Sequence, residues 1–346
     1  MNQSHPSHVD LQAAARQIML ENGFEPDFPP EVQQQLAQLD RDPPQKAANG
    51  EVRDLRHLPW SSIDNDTSRD LDQIEVAERL ADGSTRVMVG IADVDAFVAK
   101  DTAIDRHAGK ETTTVYAGVR NFPMLPEKLS TGATSLLEGN ENLCVVIEFM
   151  VNGGGEVQSH GLYRALVRNQ AQLMYNAVGA WLEDRGPAPG KVAQSAELQS
   201  QLRLQDEVAQ ALKNERYRHG ALNIETSELH ALVLNDKTVS LEQQQKNRAT
   251  ELIEDFMIAA NGAVALALEE KKVASIRRVV KTPERWDRIV ELAAQHGGRL
   301  PGQPDSRALN DFLAARKATD PDHFPDLSLA VIKLMGPARV CAGASG

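Results

Sequence analysis

Apolar residues change their spacing once along this chain, and that change limits the folds open to it. Ile74–Ala77 alternates, Asp82-Gly83 makes a turn, and Arg86–Ala92 is a β-rich run; together they predict a hairpin. Leu143–Val151 and Val157–Leu162 flank Gly153-Gly154-Gly155 as a second hairpin. From Asn169 onward the spacing becomes helical. It predicts helices over Asn169–Arg185, Gln201–Arg218, Gln243–Lys272 and Glu284–His296, with Asp305 placed to cap another through Lys317. A strand pair around Leu222–Leu234 interrupts them, an apolar helix begins near Leu327, and residues 338–346 carry no pattern. Strands first and helices later give an α+β class, a mixed or antiparallel sheet packed by helices.

Ahead of this body lies a helical N-terminal extension, residues 1–50. Leu11–Leu20 and Glu31–Leu39 have helical spacing, Pro29-Pro30 separates them, and Pro43-Pro44 and Asn49-Gly50 end the region. The expected division is 1–50, a catalytic body over 53–336, and an unpatterned tail over 337–346. Two cysteines, Cys144 and Cys341, cannot build a disulfide framework or a thiolate zinc site, so a reduced, cytoplasmic chain is expected. The longest nearly apolar stretch, Phe256–Leu268, is too short to span a bilayer, so no membrane partner is expected. Asp plus Glu number 49 against 37 Lys plus Arg, a formal net charge of −12. That balance opposes indiscriminate nucleic-acid binding but leaves room for a local basic groove.

The segment Ile63-Asp64-Asn65-Asp66-Thr67-Ser68-Arg69-Asp70-Leu71-Asp72-Gln73-Ile74 carries the chemistry. Asp70 and Asp72 share a face if the chain is extended, and a short loop can fold Asp64 back onto the same point. At about 5 Å and an effective dielectric of about 20, each like-charged pair costs on the order of 3 kcal/mol. Such a cluster must protonate, spread apart or bind a cation. Oxygen ligands suit Mg²⁺ or Mn²⁺, which would orient water against a phosphodiester. The residues alone also permit a solvated acidic loop.

The same segment resembles the signature of the ribonuclease II/ribonuclease R (RNB-domain) exoribonucleases, and the resemblance continues in register. It runs through Val89-Gly90-Ile91-Ala92-Asp93-Val94, Tyr116, Phe122-Pro123-Met124-Leu125-Pro126, Gln172-Leu173-Met174-Tyr175, His219-Gly220-Ala221-Leu222 and Leu252-Ile253-Glu254-Asp255-Phe256-Met257. It implies an RNB-like catalytic fold. It also implies hydrolysis of single-stranded RNA from the 3′ end to nucleoside 5′-monophosphates. By the resemblance, Asp64, Asp70 and Asp72 hold Mg²⁺ (or Mn²⁺), and Asp70 and Asp72 are catalytic. Loss of Asp72 would stop cleavage while leaving RNA bound. Tyr116 would stack on the terminal base, and Tyr175 and Glu254 would contact the last nucleotides. A monomer is expected.

Three departures from the family pattern stand out. Gln73 replaces a fourth aspartate and offers an oxygen without the charge. Ile224 replaces a phenylalanine that clamps the terminal base. The family's domain normally runs on beyond Gly336 into a Ser-Pro-x-Arg segment and an RNA-binding barrel, so a C-terminally truncated, impaired enzyme is expected. The alternatives are an RNA-binding pseudoenzyme and a Mg²⁺-dependent phosphohydrolase acting on a small phosphate ester.

Overall fold

A computed structural model describes residues 10–41, 52–224, 228–234, 237–244, 246–279 and 283–343. The Pro43-Pro44 and Asn49-Gly50 breakers lie outside them. Two helices come first, α1 (Leu11–Glu21), capped by Asp10 on the Ala13 N–H, and α2 (Pro30–Arg41). Strands β1 (Val52–Asp54), β2 (Ser61–Asp64), β3 (Gln73–Arg79) and β4 (Thr85–Ala92) follow. Next come α3 (Ala103–Glu111), the short pair β5 (Val115–Tyr116) and β6 (Asn121–Phe122), and the long hairpin β7 (Glu141–Val151) and β8 (Val157–Arg168). Then β9 (Ala171–Met174) runs into α4 (Tyr175–Leu182), α5 (Gly190–Ala193) and α6 (Ala196–Arg218). A hairpin, β10 (Glu228–Leu234) and β11 (Lys237–Gln244), precedes α7 (Arg248–Glu270) and β12 (Ser275–Val279). The chain closes with α8 (Trp286–Gln295), α9 (Ser306–Thr319), α10 (Phe324–Met335) and β13 (Arg339–Gly343).

Seven strands form one sheet in the order β1-β8-β7-β4-β3-β2-β9. The inner pairs are antiparallel, whereas β1 runs parallel to β8 and β9 parallel to β2. The mixed sheet and its helical cover match the α+β expectation. Alternation along β4 and β7 sends Val87, Val89, Ile147 and Phe149 to one face, where α4, α6 and α7 cover them with Val178, Leu202, Leu252 and Phe256. The rings of Phe149 and Phe256 meet edge to face at 6.4 Å. Met88, Cys144 and Val146 point to the other face, which Trp60, Leu71 and Leu136 close. Both sheet faces are therefore buried. A third cluster joins α8, α9 and α10, and Leu222 and Ile224 pack against it. Of the N-terminal helices, α2 lies against α3 through Val32, Leu36 and Ile104, and Gln35 accepts the Ile104 N–H at 2.9 Å.

Two glycines permit close approach between layers. A Cβ at Gly155, in the β7–β8 turn, would come 2.1 Å from the Ala211 carbonyl oxygen of α6. One at Gly179 would come 2.4 Å from Asn247, the side chain that caps α7. Asp305 caps α9 by accepting the Ala308 N–H at 3.0 Å, as its position in the sequence predicts.

Three expectations need correction. The helix read over Asn169–Arg185 starts only at Tyr175, because Ala171–Met174 is drawn out as a strand beside β2. The strand pair expected around Leu222–Leu234 lies further along, in β10 and β11. Within the tail, Arg339–Gly343 is a strand set by its antiparallel ladder with β12, from Val279↔Arg339 to Ser275↔Gly343. None of these pairings leaves a local period to read.

Buried hydrogen bonds hold the loop that enters β3. Ser135 donates its hydroxyl to the Arg69 carbonyl at 2.8 Å and accepts the Leu71 N–H at 3.0 Å. Leu136 then donates its N–H to the Leu71 carbonyl at 2.9 Å. Ser135→Ala should leave two backbone groups unpaired and cost about 1–3 kcal/mol, read as a lower urea midpoint at unchanged slope.

Asp255, buried on α7, pairs with Arg216. Burial nevertheless raises its pKa to about 6, against the pull of Arg216 and Lys213. Between about pH 4 and 6 the folded chain thus keeps a proton that the unfolded chain has released, so this group's contribution to stability falls as pH rises through that window. Relative to Asp255→Asn, the wild type should lose on the order of 2–3 kcal/mol from pH 4 to pH 7, then stay level. Denaturation of both chains across that range tests it.

Candidate active site at one sheet edge

β2 and β9 run side by side in the same direction, with Asp64 opposite Met174. Both strands therefore end at one edge of the sheet. β3, antiparallel to β2, begins at that edge, and the Ala92 N–H at the end of β4 holds the Asp72 carbonyl at 3.0 Å. The result places Asp64, the Asp70–Asp72 loop and Tyr175, the first residue of α4, around one rim.

Asp64 folds its own loop. Its Oδ1 accepts the Asn65 N–H at 2.6 Å and the Ser68 hydroxyl at 2.8 Å. Asp72 is exposed toward the rim, yet partial desolvation raises its pKa, and the charges of Asp64 and Asp70 push the same way. Tyr116, 66% exposed, donates its hydroxyl to Asp70 Oδ2 at 3.1 Å. Desolvation first, then Asp70, Asp72 and Asp64, raise its pKa. Tyr175 is half-buried and shifted upward by burial and by the charges of Asp64, Glu75 and Asp72. One electrostatic neighbourhood thus takes in Asp64, Asp70, Asp72, Tyr116 and Tyr175.

Glu254 lies on α7. It accepts from Lys246 Nζ at 2.7 Å and acts on Lys246, Asp255 and Tyr217 along α7 and its approach. Ile224 packs against the α8–α10 cluster. Asp93 is buried and ion-paired with Arg164 at 2.8 Å, and Arg164 also reaches Asp95 at 3.1 Å.

Two polar side chains at this edge escape a reading of the sequence. Ser68 supports Asp64 from four residues on, a spacing shared by many solvated loops. Glu75 is fully buried in β3, and neither of its oxygens has a hydrogen-bond partner among the described residues. Burial, then the charges of Asp72 and Asp64, raise its pKa well above the ordinary range. Ser61, directly across the ladder, is also buried with an unpartnered hydroxyl.

Among the described residues no three His, Cys, Asp or Glu side chains close into a cage for a metal ion. Like charges at short range favour separation over convergence. The donor set nonetheless fits a hard divalent cation, since it consists of carboxylates at one rim with an orphaned buried carboxyl behind them. No helix of the described residues is long and apolar enough to cross a membrane.

A family model described as the RNB domain matches residues 52–344. Ribonuclease R of Vibrio cholerae is 36% identical over 289 residues, covering 82% of this chain and 35% of its own length. Ribonuclease R of Escherichia coli is 33% identical over 291 residues, covering 83% and 35%. The structure of Mycoplasma genitalium RNase R with ribose-methylated single-stranded RNA superposes with a TM-score of 0.86 at 22% identity, over 96% of this chain and 52% of that one. The chain spans about a third of the length of the curated relatives it matches. With the family model covering most of its length and the sheet edge built as described, this chain belongs to the RNB-domain family that includes ribonuclease R.

Proposed function

We propose that the sheet edge is the active site of a divalent-cation-dependent exoribonuclease, which shortens single-stranded RNA from its 3′ end and releases nucleoside 5′-monophosphates. The observation that carries this reading is the bond from Tyr116 to Asp70, which sets an exposed aromatic ring directly against the acidic cluster. A solvated acidic loop needs no such ring, whereas an enzyme acting on a chain end needs a platform for a base beside its hydrolytic groups. The relatives' name and the RNA bound in the Mycoplasma genitalium structure support the choice of polymer.

Asp64, Asp70 and Asp72 would hold Mg²⁺ or Mn²⁺. Such an ion supplies neutralisation of the scissile phosphate and polarisation of water. Asp72 positions the attacking water and accepts its proton. Its raised pKa makes it a better base than an ordinary surface aspartate. Tyr116 stacks on the terminal base. Tyr175, fixed at the start of α4, bounds the rim on the helix side and limits how far the strand can advance.

The test is a 5′-labelled single-stranded RNA with Mg²⁺ and the full chain. A ladder shortening from the 3′ end is expected, with no decay of the matching DNA. Asp72→Asn should lower the rate at least 10²-fold while RNA affinity changes less than about twofold. Equal loss of binding and cleavage would remove Asp72 from this role. Tyr116→Ala should weaken binding of a short RNA roughly tenfold, the value of one stacked base. Binding without decay would instead fit an RNA-binding pseudoenzyme, and turnover of a small phosphate ester without RNA affinity would fit a phosphohydrolase.

A further inference from the structure

Glu75 has no explanation in folding. Its strand neighbours Ala77 and Val89, and Ile63 on β2, are apolar core residues on the same side of the sheet, facing α4, α6 and α7. A leucine or valine would serve that core better, because an unpartnered buried carboxyl costs free energy in either protonation state. Among the described residues its oxygens have no hydrogen-bond donor, and no basic side chain acts on it. The charges that reach it belong to Asp72 and Asp64, and each is repulsive. A lone destabilising acid behind an acidic rim calls for a balancing positive charge.

Residue 73 supplies the second observation. Gln73 and Glu75 are two apart in β3 and so share one face, and both are buried. The side chain nearer the rim is neutral, while the one behind it carries the acid. We infer that Glu75 is the fourth carboxylate of the divalent-cation site, set one step back along β3 and acting through Asp64 and Asp72 in place of residue 73. This rests on the cation-dependent reading above. It makes Glu75 a positioning residue that adds charge to the site from within the sheet.

Mn²⁺ alone, titrated into the metal-free full chain at fixed pH and followed by calorimetry or electron paramagnetic resonance, is the probe. Wild type should bind it and melt at a higher temperature in its presence. Glu75→Gln should weaken binding by about tenfold or more, the usual effect of losing a supporting acidic partner. Its metal-free melting temperature should equal or exceed that of wild type. Adding Gln73→Asp to that variant should restore most of the affinity by returning a charge to the same face. If wild type itself binds no Mn²⁺, the cation reading and this inference fall together. If wild type binds but Glu75→Gln stays within twofold, Glu75 has no part in the site and the aspartate reading stands. A lower metal-free melting temperature for Glu75→Gln, or no rescue by Gln73→Asp, would show a structural role and overturn the inference.

Discussion

The placement of β2 between an antiparallel and a parallel neighbour is the constraint on which the sheet edge depends. Its antiparallel partner β3 must begin where β2 ends, and its parallel partner β9 must end there too. Asp64, the entry to β3 and the start of α4 are thereby brought together from segments far apart in sequence. Parallel strands commonly gather functional groups beyond their carboxyl ends, because the backbone there turns away and leaves a crevice. Here β1 runs parallel to β8 at one side of the sheet and β9 parallel to β2 at the other, so the crevice beyond β2 and β9 is local and the rest of the sheet acts as a scaffold.

That scaffold is stiff where the acids need it to be. The loop from Arg69 to Asp72 is tied to Ser135, Leu136 and Ala92 through its backbone groups, so its path does not rest on the carboxylates of Asp70 and Asp72. Repulsion among them is then carried by the fold as a whole. The cost appears as upward pKa shifts at Asp72, Tyr116 and Tyr175, each caused first by desolvation and then by neighbouring negative charge. Strongly perturbed groups of this kind cluster where a site is built to act on a ligand.

Much of the architecture was legible as local pattern. Asp82-Gly83 and the triple glycine mark the turns of two hairpins, Asp305 marks a cap, and the long helices announce themselves by period. What escaped is pairing without local cause. Ala171–Met174 looks helical until β2 claims it, and Arg339–Gly343 has no pattern until β12 does. Of the candidate site, the aspartates stand out as an acidic run and the resemblance adds both tyrosines; these residues meet at one rim. Glu254, also implied by the resemblance, pairs with Lys246. Glu75 was hidden for a physical reason. A polar residue in an alternating strand normally faces water. Only the presence of helices over that face turns it into a buried acid.

The bond from Tyr116 to Asp70 has one more consequence. A solvent-facing ring that swings freely must be arrested when a base lands on it, and immobilising such a side chain costs roughly 0.5–1.5 kcal/mol. Here the phenol oxygen is already tethered, so under the proposed function an incoming base would meet a ring held in a fixed attitude, a shelf instead of a flag.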